Sequence, residues 1–245
     1  MLYKIFDHMH LCTDEAVREM LPLVSEQRRQ QALRYSHTFG RFCCLKSYLM
    51  LLELLSAVYP ELDTSKPEFG YTAQGKPFLL ARPDIHFSIS HTKNAILVAI
   101  SDAPIGVDIE AFRSPSAALI ARTMNATEQA AIATAAASAA TAAASAAATP
   151  SGLLEPPGTS GTARSANGTR EAQMEQASAA GTREALFSAI WTRKEAVLKL
   201  RGTGIEGDLK HVLSGTEAIF TRIFPRKEYA FSIAQQTISP FEILH

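Results

Sequence analysis

The sequence predicts a globular fold that mixes α-helices and β-strands. Two long segments, Gln30–Val58 and Arg183–Leu200, repeat their apolar residues with helical spacing. Shorter segments between residues 84 and 110 either alternate apolar and polar residues or are apolar throughout, as strands do. With 245 residues, 47% of them hydrophobic, the chain is long enough and apolar enough to bury a substantial core.

The first helical segment is a core helix that carries basic residues near its start, namely Arg41 and Lys46. Its apolar face is formed by Phe42, Leu45, Leu49, Leu52 and Leu55. The passage Phe69–Pro77 that follows is rich in glycine and proline, so it predicts turns that hold Lys76 on a loop.

Three strand segments come next. Asp84–His91 alternates apolar and polar residues, and Ala95–Ile100 is a continuous apolar run typical of a buried strand. Pro104–Glu110 alternates again, with the core-facing positions Ile105, Val107 and Ile109. Because side chains alternate across a strand, Asp108 and Glu110 share the opposite face.

The composition changes after Glu128. Gln129–Thr149 is almost entirely Ala, Ser and Thr, and Pro150–Thr182 is rich in Gly, Pro, Ser and Thr. We predict a low-complexity, disordered insert at about 129–182 that has no core of its own. Ordered structure resumes with the helix Arg183–Leu200, which Gly202 and Gly204 stop, and a last strand is predicted at Tyr229–Ala234.

The second helical segment places charge where its apolar stripe requires a hydrophobe. Lys194 stands seven residues after Phe187 on that stripe, and Glu195 and Lys199 flank it one turn apart. Lys194 either contacts a ligand or extends its ammonium group to water. Taken by themselves, Glu195 and Lys199 fit an exposed ion pair as well as a functional pair.

Two carboxylates on one strand face are a weak signal for a metal. Asp108 and Glu110 would lie about 7 Å apart, which suits a divalent cation if a third oxygen ligand arrives, and suits a solvated strand face otherwise. Ser90 and His91 offer donors to phosphate oxygens or simply end their strand. Scattered cations, paired carboxylates and a third carboxylate on a separate helix together indicate a site for a polyphosphate with Mg²⁺.

Charge and cysteine content limit the environment and the partners. Lys plus Arg and Asp plus Glu number 24 each, so no overall field attracts nucleic acid or an anionic membrane. The three cysteines, Cys12, Cys43 and Cys44, lack metal-ligand spacing and indicate a reducing compartment, hence the cytoplasm. We expect neither a signal peptide nor a membrane span.

Four motifs, in this order, resemble those of the 4′-phosphopantetheinyl transferases, specifically the monomeric surfactin-synthetase-activating type. They are Gly75-Lys76-Pro77, Phe87-Ser88-Ile89-Ser90-His91, Gly106-Val107-Asp108-Ile109-Glu110, and Trp191-Thr192-Arg193-Lys194-Glu195 with Lys199. The resemblance extends to Gly40-Arg41, to Thr127-Glu128 and to the turn Gly202-Thr203-Gly204. It covers nearly the whole chain except the insert.

The resemblance implies an α+β fold of two pseudo-symmetric halves. Each half would be a small, mainly antiparallel sheet packed on helices, with coenzyme A in the cleft between them. The halves would comprise residues 1–103 and 104–245. Tyr71 departs from the pattern, because some relatives carry a cation at this position near the nucleotide.

The implied reaction transfers the 4′-phosphopantetheine arm of coenzyme A to a serine of an apo acyl or peptidyl carrier protein and releases adenosine 3′,5′-bisphosphate. The implied Mg²⁺ ligands are Asp108, Glu110 and Glu195, and the implied catalytic residues are Asp108, Glu195 and Lys199. The implied coenzyme A contacts are Arg41, Lys76, Ser90, His91, Lys194 and Lys199. Either Glu195 or Glu128 would accept the serine proton.

Two other functions remain open at the level of the sequence. One is a non-catalytic module that binds coenzyme A or a carrier protein. The other is a Mg²⁺-dependent nucleotide pyrophosphate hydrolase that uses the same carboxylates.

Overall fold

The computed structural model describes residues 1–65, 67–147, 182–204 and 208–236. The helices are α1 (Asp14–Met20), α2 (Glu26–Leu33), α3 (Thr38–Val58), α4 (Ala117–Thr123), α5 (Ala126–Ala147) and α6 (Arg183–Arg201). The strands are β1 (Leu2–Phe6), β2 (Phe69–Tyr71), β3 (Pro77–Leu79), β4 (His86–Thr92), β5 (Ala95–Ser101), β6 (Ile105–Ala111), β7 (Ala218–Phe224) and β8 (Tyr229–Gln235). Helices and strands therefore mix as predicted.

The strands form small antiparallel sheets. One sheet has the order β1-β5-β4, another has the order β6-β8-β7, and β2 pairs with β3 in a hairpin. In each three-stranded sheet, the strand that comes first in the chain pairs with the third, and the third pairs with the second. In each, a long helix, α3 or α6, lies in the chain between the first strand and the second.

Side-chain hydroxyls join the two sheets along β4 and β6. Backbone N–H groups of β6 donate to three β4 hydroxyls: Val107 to Ser88 at 3.0 Å, Ile109 to Ser90 at 3.4 Å, and Ala111 to Thr92 at 3.1 Å. These hydroxyls stand where a paired strand would offer carbonyls, so they satisfy an edge that would otherwise be buried without partners. The polar face of β4 is therefore committed to β6.

Strand β5 contributes to two clusters of the hydrophobic core, one that includes α3 and one between the sheets. Alternate residues of β5 enter the two clusters: Ile96, Val98 and Ile100 contact the cluster that includes α3, whereas Ala95, Leu97 and Ala99 contact residues of β6 and β8. The second cluster contains Ile105, Val107 and Ile109, as the alternation of β6 predicted. Asp108 and Glu110 consequently face α6.

Gly106 allows α6 to lie directly on β6. A Cβ atom built at this position would overlap the carbonyl oxygen of Ala196 and the amide nitrogen of Leu200, both in the helix backbone. Only glycine leaves room for this approach. The close packing brings the α6 residues Glu195 and Lys199 over the carboxylates of β6.

The first helical segment begins later than the sequence predicted. Residues 30–33 belong to α2, and α3 starts at Thr38 after a break. The cause is local: the His37 side chain accepts the Gly40 N–H at 3.0 Å, and Arg41 Nε donates to the Tyr35 carbonyl at 2.9 Å. These bonds end one helix and cap the next. By contrast, α6 and β8 agree with the predicted Arg183–Leu200 and Tyr229–Ala234.

A helix occupies the first part of the predicted insert. Helix α5 begins at Ala126 and continues through the alanine-rich stretch to Ala147. Its Ile132 is only 2% exposed and joins a cluster with Phe187 and Ile190 of α6, so one apolar residue docks the first turns of α5. Residues 148–181, the rest of the predicted insert, lie outside the described residues. In the described part of the chain, no helix is long and apolar enough to cross a membrane.

Candidate active site

Two adjoining cavities lie along α6. The first, of about 310 Å³, lies between α6 and the β2–β3 hairpin and is lined by Gln74, Gly75, Lys76, Pro77, Phe87, Ser88, Ile89, Glu195, Leu198, Lys199, Gly202 and Gly204. The second, of about 390 Å³, is lined by Ile89, Ser90, His91, Asp108, Ile109, Glu110, Arg113, Trp191, Glu195 and Lys199. Glu195 and Lys199 line both cavities, so they stand where the two spaces meet.

A hydrogen-bonded cluster occupies this junction. Lys199 Nζ donates to Asp108 Oδ1 at 2.7 Å and to Ser90 Oγ at 2.9 Å, and the Ser90 hydroxyl donates to the same Asp108 oxygen at 2.8 Å. Asp108 is 4% exposed, whereas the Lys199 side chain is 33% exposed. The cluster thus presents a partly exposed cation whose position a buried carboxylate fixes.

Two carboxylate oxygens in and beside this cluster have no hydrogen-bond partner. Asp108 Oδ2 and Glu195 Oε1 are buried and make no hydrogen bond. Desolvation and the charge of Asp108 raise the pKa of Glu195, and the same two causes raise the pKa of Glu110. Buried oxygens that repel one another and lack donors are ones that a bound cation would stabilise. This donor set therefore fits Mg²⁺, although no group of three His, Cys, Asp or Glu side chains among the described residues is already arranged around a metal position.

His91 and Arg113 line the second cavity. Desolvation and the charge of Lys199 lower the pKa of His91, whose ring lies edge-on to Phe39 at 5.9 Å. Arg113 lies 5.7 Å from the ring centre of Trp191, and its charge opposes the rise in the pKa of Glu110. Arg113 was not predicted from the sequence, because nothing in its spacing shows that it lies beside Trp191 of α6.

Lys194 does not lie in either cavity. Its side chain has no exposed surface, and its ammonium group donates to the Thr123 carbonyl at 2.8 Å, to Glu128 Oε2 at 2.6 Å and to the Leu209 carbonyl at 2.9 Å. An ammonium group has three donors, and all three are used. This corrects the expectation that Lys194 contacts a pyrophosphate, and it also excludes the alternative that Lys194 reaches water.

Glu128 is held in the same buried network. Its carboxylate accepts the Asn125 N–H at 2.8 Å while its own N–H donates to Asn125 Oδ1 at 2.9 Å, a reciprocal cap at the start of α5. Its side chain is 12% exposed and lines neither cavity. Glu195, which lines both cavities, is therefore better placed than Glu128 to meet a substrate.

Lys76 and Arg41, the two remaining predicted contacts of coenzyme A, lie in different places. Lys76 lines the first cavity, but its Nζ donates to the backbone carbonyls of Ile105, Lys199 and Leu200. Arg41 lies in the first turns of α3 and lines neither cavity. The structure thus gathers Ser90, His91, Asp108, Glu110, Glu195 and Lys199 around one cleft and places Arg41 outside its walls.

Comparison with known proteins shows which family this chain resembles. The family model of the 4′-phosphopantetheinyl transferase superfamily matches residues 159–214, a range that includes α6 with Glu195 and Lys199. A 4′-phosphopantetheinyl transferase of Bacillus subtilis is 30% identical over 127 residues, which is 52% of this chain and 56% of the relative. One of Bacillus pumilus is 24% identical over 189 residues, which is 77% of this chain and 62% of the relative.

This chain is similar to the 4′-phosphopantetheinyl transferase superfamily. It spans between half and two thirds of the length of these curated relatives. The matched superfamily range begins at residue 159, inside the segment that the sequence predicted to be an insert. The superfamily match therefore includes residues on both sides of Thr182, where the described part of the chain resumes.

Proposed function

We propose that this chain transfers the 4′-phosphopantetheine arm of coenzyme A to a serine of an apo acyl or peptidyl carrier protein and releases adenosine 3′,5′-bisphosphate. The observation that carries the proposal is the Lys199–Asp108–Ser90 cluster beside Glu195 at the junction of the two cavities. A pyrophosphate that undergoes attack needs cations on its oxygens and a proton acceptor for the nucleophile, and this cluster offers both.

The fold would supply the cleft for coenzyme A. We propose two pseudo-symmetric halves, 1–103 and 104–245, and the shared strand order of the two three-stranded sheets supports this division. The adenosine end would occupy the first cavity, where Pro77, Phe87 and Leu198 provide apolar walls. The pyrophosphate would lie against Lys199, and the second cavity would admit the carrier serine.

Asp108, Glu110 and Glu195 would hold Mg²⁺. The unpartnered oxygens of Asp108 and Glu195 and the raised pKa values of Glu110 and Glu195 support this assignment, since a cation would relieve both. When bound, the ion supplies positive charge that polarises the pyrophosphate toward attack.

Side chains of the protein itself would neutralise charge, donate hydrogen bonds and accept the proton. Lys199 would neutralise a pyrophosphate oxygen from the position that Asp108 and Ser90 fix, and His91 would donate to a neighbouring oxygen. Glu195 would take the proton from the hydroxyl group of the carrier serine. The serine oxygen would then attack the phosphorus that carries the pantetheine arm, and the bond from this phosphorus to the bridging oxygen of adenosine 3′,5′-bisphosphate would break.

Intact-mass measurement tests the reaction directly. The wild-type chain is incubated with coenzyme A, Mg²⁺ and a panel of apo carrier proteins, and a modified carrier gains about 340 Da, the mass of the phosphopantetheine arm. No gain on any carrier, with tight binding of coenzyme A, would establish the binding module instead. Release of phosphopantetheine without a carrier would establish the pyrophosphate hydrolase.

Asp108→Asn tests the cluster within the same assay. The amide keeps the shape of the side chain but removes the charge that holds Lys199, so we expect the rate of carrier modification to fall by about 100-fold or more. The matched control is Asp84→Asn, which removes a carboxylate that pairs with Arg82 at an exposed position. An Asp108→Asn rate equal to that of the control would contradict the proposed site.

We further propose that the chain acts as a monomer in the cytoplasm, without nucleic acid or membrane partners. The balanced charge of the sequence, 24 basic and 24 acidic residues, supports the absence of a nucleic acid partner.

A further inference from the structure

Lys76 stands on a rigid turn that fixes where its side chain starts. Gly75 has a φ of +83°, a conformation that favours glycine, and Pro77 begins β3. The Thr72 N–H donates to the Lys76 carbonyl at 2.9 Å, and the Lys76 N–H donates to Thr72 Oγ1 at 3.1 Å. The backbone of Lys76 is therefore held on the hairpin from both sides.

The other end of Lys76 is held by backbone that is distant in sequence. Its Nζ donates to the Lys199 carbonyl at 2.8 Å, the Leu200 carbonyl at 3.2 Å and the Ile105 carbonyl at 3.1 Å. Three acceptors use all the donors of the ammonium group, so no N–H is left for a ligand. Burial lowers the pKa of Lys76, as expected of a cation withdrawn from water.

These acceptors mark the C-terminus of α6 and the start of β6. The last carbonyls of a helix lack partners within the helix and carry partial negative charge, so a cation at this position satisfies and stabilises them. Helix α6 ends at Arg201, and Gly202 follows with a φ of +71°. Lys76 therefore caps the helix that bears Glu195 and Lys199, and it does so from the hairpin that forms the opposite wall of the first cavity.

We infer that Lys76 is a positioning residue, which fixes the end of α6 against the β2–β3 hairpin and thereby sets where Glu195 and Lys199 stand in the cleft. This role differs from the phosphate contact that the family resemblance implies for the Lys76 side chain. Its catalytic consequence rests on the proposed function, whereas the structural coupling does not.

Lys76→Met and Lys76→Arg distinguish the two roles. Methionine keeps the aliphatic stem and removes all three donors. Arginine keeps the charge and binds phosphate well, but its planar guanidinium does not match three converging carbonyls that surround a compact ammonium group. A phosphate ligand would tolerate arginine, whereas a cap of this geometry would not. Lys4→Met is the control, since Lys4 pairs with Glu53 at the exposed surface of the first sheet.

The decisive measurement is amide hydrogen exchange of the last turns of α6 in the absence of any ligand. We expect exchange about tenfold faster in Lys76→Met and Lys76→Arg than in wild type and Lys4→Met, because two helix carbonyls lose a charged partner. Unchanged exchange in both Lys76 variants would overturn the inference. If Lys76→Met does not fold, Lys76→Arg alone decides it. A wild-type chain that modifies no carrier would contradict the proposed function and leave this measurement valid.

Kinetics separate positioning from binding. A displaced α6 should lower kcat in both variants by about tenfold and leave the KM for coenzyme A within about twofold, since the Lys76 ammonium group has no donor left for a phosphate. A raised KM with unchanged kcat in Lys76→Met, restored in Lys76→Arg, would instead show that Lys76 binds phosphate and would overturn the inference.

Discussion

At the scale of single residues, the cleft carries carboxylates that cost stability when no cation is bound. Glu195 and Asp108 each leave one oxygen buried without a partner, and their charges oppose one another. Residues that only had to stabilise the fold would be paired or replaced by apolar side chains. Unrelieved charge of this kind is typical of functional sites.

Glu195→Gln should make the chain more stable at high pH in the presence of a chelator. Since its pKa is raised in the folded state, the unfolded state loses the proton first, and wild-type stability falls as pH rises through both pKa values. The free energy of unfolding should favour the variant at pH 8, and the difference should vanish at about pH 3, well below the ordinary pKa of glutamate, where the carboxyl group is protonated in both states. Urea unfolding at the two pH values measures this.

The effect of Mg²⁺ on thermal unfolding also distinguishes wild type from Glu195→Gln. A cation bound to the native state raises the midpoint of thermal unfolding, so wild type should gain stability with Mg²⁺ and Glu195→Gln should gain less. Glu19→Gln, at an exposed position of α1, is the control and should behave as wild type in both experiments. Equal gains in Glu195→Gln and wild type would remove Glu195 from the metal site.

At the scale of elements, α6 places side chains both in the cleft and in the protein interior. Glu195 and Lys199 face the cleft, while Lys194 enters the junction of α4 and α5, where it meets the Thr123 carbonyl and Glu128. The motif Lys194-Glu195 therefore joins a structural residue to a residue of the candidate site. The buried ion pair fixes the helix that Gly106 lets approach β6.

Lys194→Met should lower the free energy of unfolding by about 3 kcal/mol, because it leaves a buried carboxylate and two carbonyls without a donor. Arg193→Met, its exposed neighbour on α6, should stay within about 0.5 kcal/mol of wild type. Glu128→Gln added to Lys194→Met should restore part of the loss. If urea unfolding gives equal values for Lys194→Met and Arg193→Met, the ion pair does not stabilise the fold.

At the scale of the whole molecule, the two three-stranded sheets share a core and an edge. The cluster that contains Leu97, Val107 and Phe231 draws on both sheets, and hydroxyls of β4 satisfy the backbone of β6. Such continuous burial favours unfolding as a single unit. The cleft between hairpin and helix then depends on the stability of the whole chain.

We expect unfolding followed by Trp191 fluorescence and by far-ultraviolet circular dichroism to coincide, since the single tryptophan reports on the surroundings of α6 and dichroism on all helices and strands. Thr92→Val removes the partner of the Ala111 N–H and should lower both midpoints together, by about 1 kcal/mol in free energy. Thr127→Val, at an exposed position, is the control. Separate transitions for the two probes would show that the two sheets unfold independently.

Much of the fold was predictable wherever a segment has a strong period of its own. The alternation of β6, the apolar run of β5 and the glycine-terminated helix α6 are local signals, and the structure confirms each of them. Strands β1 and β7 were missed because strands of mixed composition depend on their partners in a sheet. The break between α2 and α3 was missed because a histidine cap is not a common helix start.

The sequence by itself determined the chemistry available to this protein: carboxylates on one strand face, a glutamate and lysines on one helix, and motifs in the order of one superfamily. Only the tertiary structure decided which lysine does what, because the role of an ammonium group depends on the acceptors within its reach. Lys199 meets Asp108 at the cleft, Lys194 meets Glu128 in the interior, and Lys76 meets the carbonyls that end α6. These acceptors lie far away in sequence, so no local pattern encodes them.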